Sequence, residues 1–141
     1  MMNYYKAAQR DVALLAELNR QLIQDEGHRN QMTLPQLEQR MSGWLAGEYE
    51  AVLFEQDDHV VAYALYKLEN EYIYLRQFFV CRGQRRQGVG RQAIYLLTSK
   101  IWPAHRRIRI EVLVNNEVGR HFWRSVGFLE YAVTMELERS A

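Results

Sequence analysis

The run Arg85-Arg86-Gln87-Gly88-Val89-Gly90 constrains the fold more than any other stretch of the chain. An apolar run from Tyr74 to Val80, which reads as a strand, precedes it. An amphipathic pattern follows, with Val89, Ala93, Leu96, Leu97 and Ile101 on one helical stripe. The order is therefore strand, basic glycine-bearing turn, helix. Glycines at 88 and 90 let backbone N–H groups turn toward one point without Cβ obstruction. A helix N-terminus adds unpaired N–H groups and about half a positive charge. Together these form a cradle for a pyrophosphate, to which Arg85, Arg86 and Arg91 can add charge-assisted hydrogen bonds. The competing reading is a glycine loop with a solvated basic face. The spacing is not the dinucleotide fingerprint, which needs a third glycine, nor a P-loop, which needs Gly-Lys-Ser/Thr.

A second block lies downstream, Asn116-Glu117-Val118-Gly119-Arg120-His121-Phe122-Trp123-Arg124-Ser125-Val126-Gly127-Phe128. The first block, Arg-x-x-Gly-x-Gly at a strand-to-helix turn, resembles the acetyl-CoA pyrophosphate loop of the GNAT superfamily of N-acetyltransferases. The second is similar to that family's Asn-x-x-Ala-x-x-(apolar)-Tyr-x-x-x-Gly-Phe segment, departing from it at Gly119 and Trp123. The blocks come in the family's order and at about its separation, so the resemblance covers most of the chain.

Composition limits the alternatives. A chain of 141 residues is one domain, residues 1–141, and 48% hydrophobic residues are enough for a real core. No apolar run approaches the ~20 residues of a membrane span, and Met1-Met2-Asn3-Tyr4-Tyr5-Lys6 lacks the apolar core of a signal peptide. One cysteine, Cys81, excludes an internal disulfide framework and fits a reducing compartment, so the expected location is cytoplasmic. A net charge of +1 gives no global attraction for nucleic acid. The crowding of Arg76, Arg82, Arg85, Arg86 and Arg91 near the glycine turn instead suits a small polyanion such as a CoA phosphate. The four histidines show no metal-ligand spacing, and no metal is expected.

In chain order, Tyr4 to Ala8 reads as a first strand, and Asp11 as the cap of a helix with Leu14, Leu15, Leu18 and Leu22 buried. Thr33-Leu34-Pro35-Gln36 opens a second helix with a capping box, and Gly47 closes it. Strands Ala51–Glu55 and Val60–Leu68 form a hairpin around Gln56-Asp57-Asp58-His59, and Tyr72–Val80 follows. After the loop helix, Arg107 to Val114 alternates as a strand, then comes a helix capped by Asn115 or Asn116. Leu129, Tyr131, Val133, Met135 and Leu137 alternate along a last strand. The order β-α-α-β-β-β-α-β-α-β predicts a mixed α+β (α/β) fold with helices on both faces of a mixed sheet. The resemblance implies the same order, with a mostly antiparallel sheet and a central parallel pair that splays apart. It places the pantetheine arm in that gap, against the backbone of Phe78, Phe79 and Val80.

The function that the resemblance implies is transfer of acetyl from acetyl-CoA directly to a primary amine: a small amine, a peptide N-terminus or a lysine. A backbone N–H near Val80 would polarise the thioester carbonyl. Glu111 is the leading base, acting through water as in the ribosomal-protein branch, with burial expected to raise its pKa. The competing reading pairs Glu111 with Arg107 or Arg109 on the same strand face. Tyr74 falls where the histone-acetylating branch has its glutamate. It is a poor base and is assigned to substrate hydrogen bonding, a buried strand aromatic being the alternative. Asn116, Gly119, Phe122 and Trp123 complete the cofactor set with residues 85–91. Trp123 stands where the family's tyrosine is credited with protonating the departing thiolate, which an indole N–H does not do. That predicts an enzyme that is slower or uses another acid. The alternative is a CoA-binding sensor without turnover. Asp25, Glu26 and His28, between the first two helices, are the acceptor-site candidates. The last segment, Phe128 to Leu137, is a candidate homodimer edge.

Overall fold

The computed structural model describes residues 1–27, 29–85, 87–104 and 107–140. His28 and Arg86, both assigned to the site from sequence, lie outside the described residues. The chain divides into two compact units, Met1–Glu111 and Val112–Ala141.

The first unit holds a five-stranded sheet in the order β1-β2-β3-β4-β5. Its strands are β1 (Asn3–Lys6), β2 (Tyr49–Gln56), β3 (His59–Leu68), β4 (Tyr72–Val80) and β5 (Arg107–Arg109). Neighbours run antiparallel except β4 and β5, which are parallel. Helices α1 (Val12–Glu26) and α2 (Leu34–Ala46) precede β2, and α3 (Val89–Leu96) follows β4 and continues into a wider π turn, Leu97–Ile101. The sheet is thus mixed, as the element order predicts, and mostly antiparallel, as the resemblance implies.

Local chemistry accounts for most boundaries. Thr33 Oγ1 accepts from the Gln36 N–H at 3.4 Å while Gln36 Oε1 accepts from the Thr33 N–H at 2.8 Å, the reciprocal box expected at the start of α2. Asp57 and Asp58 have φ of 51° and 64°, the left-handed pair of a two-residue hairpin. Asp11 differs from expectation: its carboxylate turns back to accept from the Ala8 N–H at 2.8 Å and makes no side-chain bond to the first turn of α1.

Each sheet face has its own core. Leu15 and Leu18 of α1 and Met41 of α2 pack with Ala51, Leu53, Tyr63, Leu65 and Phe79. The intervening strand residues Val52, Phe54, Ala62, Ala64 and Tyr66 are also buried, as are Val89, Ala93 and Leu97 of α3 and its extension. A fully buried side chain of this size contributes about 1.5–3 kcal/mol.

One irregularity decides which side chains of β4 share a face. In the β3–β4 ladder Leu65 pairs with Gln77 but Tyr66 pairs with Leu75, so Arg76 is an extra residue. Such a bulge reverses which alternate residues face each side. Ile73 and Leu75 therefore share a face with Tyr66, whereas Gln77 and Phe79 share the α1–α2 face with Leu65 and Tyr63. The β4–β5 pairing stops at Tyr74 opposite Arg109, just before the bulge. The strand expected over Arg107–Val114 is correspondingly short, because a bulged strand bends and its neighbour loses the ladder.

The second unit contains α4 (Glu117–Ser125), closed by Gly127 at φ 107°. The strand expected from Leu129 to Leu137 is not formed: residues 128–140 belong to no helix or strand. Alternation makes a segment competent for a strand, but a strand exists only where a partner completes the ladder. No described helix is long and apolar enough to cross a membrane.

Candidate active site

The bulge assembles the chemistry of the first unit. In a regular strand Tyr74 and Arg76 would share a face and Gln77 would oppose them. Here Tyr74, opposite Lys67, and Gln77, opposite Leu65, lie on the α1–α2 face, and Arg76 reaches the aromatic rings of α2 and β2 on that side.

Tyr74 Oη donates to Glu111 Oε1 at 2.5 Å. The two side chains meet because Tyr74 and Arg109 are paired and Glu111 is two residues beyond Arg109. Burial, then the hydrogen bond and charge of Glu111, push the Tyr74 phenol well above its ordinary pKa. Tyr74 thus keeps its proton and acts as a donor. Glu111 is exposed, not buried as expected. Its hydrogen bond is to a tyrosine of the adjacent strand, while the Arg109 guanidinium lies 4.1 Å from the Tyr72 ring centroid.

At the carboxyl end of β4 the arginines are already engaged. Asp25 Oδ1 accepts from Arg82 Nη2 at 2.7 Å, and Asp25 Oδ2 from Arg85 Nη2 at 2.5 Å. Arg85 Nε also donates to the Val80 carbonyl at 2.9 Å, and its guanidinium lies 5.2 Å from the Phe79 ring centroid. Asp25 is thereby a partner of the loop arginines. Burial pushes its carboxyl up, and hydrogen bonds and charge from Arg82 and Arg85 outweigh this and hold it below the usual range. Glu26 is pushed up by burial and by the Asp25 charge. The Cys81 thiol, also raised by burial, donates to the Val60 carbonyl at 3.6 Å, the contact of a packed residue.

The glycine turn has the expected form. Gly88 is the N-cap of α3 at φ 75°, with no side-chain cap bond on the first turn. Val89, 2% exposed, anchors the helix in the core, and Gly90 lies within its first turn while Gln87 and Arg91 are exposed. Beyond Tyr74, no described strand pairs the β4 edge that faces β5. A parted parallel pair beside an uncapped helix N-terminus can accept an extended chain ending in a phosphate. Arg85 must leave Asp25 or Val80 to join such a ligand. Arg76 departs from expectation, since it belongs to mid-strand and not to the loop. Among the described residues, no group of three His, Cys, Asp or Glu is placed to hold a metal.

In the second unit, Asn116 Oδ1 accepts from the Gly119 N–H at 2.9 Å, capping α4. A Cβ at position 119 would stand 2.5 Å from Asn116 Nδ2 and 2.9 Å from its Cγ. The space left by Gly119 is therefore used by the cap of its own helix. Trp123 packs edge-to-face between Phe122 and Phe128, at 5.0 and 5.1 Å between centroids. Arg124 pairs with Glu130.

Several residues on the α1–α2 face escape motif reading. Arg40 and Arg76 lie 4.5 and 4.8 Å from the Trp44 ring centroid. Arg40 Nη2 donates to Asn19 Oδ1 at 3.1 Å, and Tyr63 Oη to Gln77 Oε1 at 2.8 Å. Arg40 also walls an open recess of about 340 Å³ with Met32, Gln36 and Gln39. A signal for two of these exists in the sequence: Asn19 and Arg40 are polar residues set on otherwise apolar stripes, at i+4 from Leu15 and i+3 from Leu37.

Residues 13–128 match the model of the acetyltransferase (GNAT) family. Solved structures with the same fold include a predicted acetyltransferase with acetyl-CoA from Clostridium acetobutylicum, with 20% identity, a TM-score of 0.74, and 98% of this chain and 96% of that one covered. An aminoglycoside N-acetyltransferase in complex with CoA is similar at 14% identity and TM-score 0.77, over 100% and 96% of the two chains. Ribosomal-protein-alanine N-acetyltransferase from Brucella melitensis biovar Abortus 2308 is similar at 14% identity and TM-score 0.75, over 99% and 100%. No curated protein matches the chain.

Proposed function

From the premise that the chain belongs to the acetyltransferase (GNAT) family, we propose that it transfers acetyl from acetyl-CoA directly to a primary amine, whether a small amine, a peptide N-terminus or a lysine. The observation that carries this reading is the parting of β4 and β5 after Tyr74 beside the uncapped, Gly88-led start of α3. The family match spans both compact units, which supports reading residues 1–141 as one catalytic domain. The cofactor set is Phe78, Phe79 and Val80 for the pantetheine arm and residues 85–91 for the pyrophosphate. From the second block the family resemblance carries over Asn116, Gly119, Phe122 and Trp123. We place the activity in the cytoplasm, consistent with a single free cysteine.

Acetyl-CoA supplies an activated thioester. The amine nitrogen forms a bond to its carbonyl carbon, the carbon–sulfur bond breaks, and the amine gives up one proton while the thiolate takes one. Glu111, exposed to water and oriented by the Tyr74 hydroxyl, receives the amine proton through a water molecule. Tyr74 holds that carboxylate in position. A lysine-like amine, with a reference pKa of about 10.4, depends on this base more than an α-amino group at about 7.7–8.0.

The test is calorimetric titration with acetyl-CoA and with CoA. Micromolar binding that is lost in Gly88→Glu or Gly90→Glu is expected. Absence of binding to well-folded protein would overturn the assignment. A second reading, a CoA-binding sensor without turnover, is favoured by Trp123 in its aromatic packing. Trp123→Tyr separates the two: the enzyme reading expects faster turnover, since general acid help is typically worth about 10²–10⁴-fold. Unchanged turnover would refute the missing-acid argument. Self-association through residues 128–137, in which Leu129, Tyr131, Val133, Met135 and Leu137 are exposed, is the partner reading, checked by sedimentation of wild type against a Val133→Lys variant.

A further inference from the structure

Arg40 and Arg76 bring two guanidinium groups to one indole ring without a counterion among the described residues. One comes from α2 and the other from the β4 bulge, yet both guanidinium groups lie against Trp44, at 4.5 and 4.8 Å from its centroid. Arg76 also donates to Tyr49 Oη at 3.3 Å. No carboxylate pairs with either arginine among the described residues, although Arg82, Arg85, Arg20 and Arg124 each have one. Burial, with repulsion from Arg76 behind it, makes Arg40 less basic than an ordinary arginine. Trp44 offsets part of that repulsion through its ring face, but a neutral ring does not cancel charge.

Two further atoms point the same way. Among the described residues, Arg40 Nε and Asn19 Nδ2 are buried donors with no acceptor, and Asn19 is only 1% exposed. Buried donors are almost always satisfied in folded proteins. Two empty donors beside two unneutralised guanidinium groups call for an anionic oxygen ligand, and the planar fork of arginine suits a carboxylate. The position relative to the chemistry also fits. Arg76 is two residues along β4 from Tyr74, and its charge acts on the Tyr74 hydroxyl that holds Glu111.

We infer that the acceptor is an amine that also carries a carboxylate, with the carboxylate bound between Arg40 and Arg76 and the amine toward Glu111 and Tyr74. This rests on the acetyltransferase reading for the amine but not for the anion site. Free amino acids and peptides ending in a carboxylate near the amine share this chemistry.

The anion site is tested without turnover. Arginine side-chain Nε–H resonances are recorded by NMR, assigned with Arg40→Lys and Arg76→Lys, and titrated with N-acetylglycine and with N-acetylglycinamide. The expected result is movement of both resonances with the acid and not with the amide. No movement with the acid, or equal movement with the amide, overturns the inference. Kinetics then give the acceptor. Amino acids are expected to show a KM lower than their amides by about tenfold or more, a ratio that falls toward one in Arg40→Gln and Arg76→Gln. Amides used as well as acids overturn the inference and leave the acetyltransferase reading standing. Failure to bind acetyl-CoA in calorimetry would overturn that reading, while the NMR result judges the anion site alone.

Discussion

Replacing Asp25 with asparagine takes one negative charge from between two arginines. In the wild type Asp25 bridges Arg82 and Arg85, its side chain 22% exposed and theirs 56% and 42%. Exposed pairs are worth about 0–1 kcal/mol and hydrogen bonds to charged groups about 1.5–3 kcal/mol, so this partly sheltered bridge should contribute about 1–2 kcal/mol. Asp25 also lies in the last turn of α1, where a negative charge opposes the helix dipole by about 0.3–1 kcal/mol. The net loss in Asp25→Asn is then about 1 kcal/mol, or roughly 2–5 °C in Tm for a chain of this size. The sign with pH follows from the depressed carboxyl. Its contribution is present above the unfolded aspartate pKa of about 3.9 and is lost as pH falls through the lower folded value. The stability gap between wild type and variant should therefore close in acid. Cofactor affinity should move the other way. Where Arg85 turns from Asp25 rather than from Val80 to meet a pyrophosphate, removing that competition by about 1 kcal/mol tightens acetyl-CoA binding about fivefold. Urea unfolding at pH 7 and pH 3, with calorimetry at pH 7, measures both. A variant that binds acetyl-CoA more weakly would refute the competition and show that Asp25 holds Arg85 in its productive place.

Two other substitutions probe the assembled groups. Tyr74→Phe removes the donor that orients Glu111. We expect kcat to fall by about tenfold with acetyl-CoA affinity unchanged, and equal loss of both in stopped-flow and calorimetry would count against a positioning role. Gly119→Ala should leave stability within about 0.5 kcal/mol of wild type. It forces Asn116 out of its cap, costing about 1 kcal/mol, and gains about 0.8–1.0 kcal/mol of helix propensity. In an Asn116→Ala background the same change should stabilise by the full propensity gain. Additive effects in that double-mutant cycle would show that the two positions are not coupled.

The legible parts of this molecule were those written in local chemistry. Thr33 and Gln36 form their reciprocal box, Asp57 and Asp58 take the left-handed turn, and Gly88 opens α3 because only these residue types satisfy those backbone geometries cheaply. Two kinds of feature were not legible. One is register: β4 reads as a single apolar run, and only the Leu65–Gln77 and Tyr66–Leu75 pairs reveal the extra residue at Arg76. The other is long-range pairing. Residue types suggested that Asp25 waits for a cation and that Glu111 is buried or paired with a neighbouring arginine. Instead Asp25 is occupied by Arg82 and Arg85, and Glu111 by a tyrosine on the adjacent strand. Neither follows from spacing along one segment.

The extra residue in β4 also sets what kind of change the strand can absorb. Exchanging the side chain of Arg76 alters one chemical group, whereas deleting the residue would remove the bulge and leave a regular ladder, with Leu75 still opposite Tyr66 and Gln77 still opposite Leu65. Ile73 and Leu75 would then keep the Tyr66 face and Phe79, now 2% exposed, the α1–α2 face, so the deletion would remove the bend and the guanidinium against Trp44 but not the phase of the strand. Function can drift by substitution at position 76, whereas losing a residue from a regular part of the strand would put the Tyr74–Glu111 end out of phase with the glycine turn.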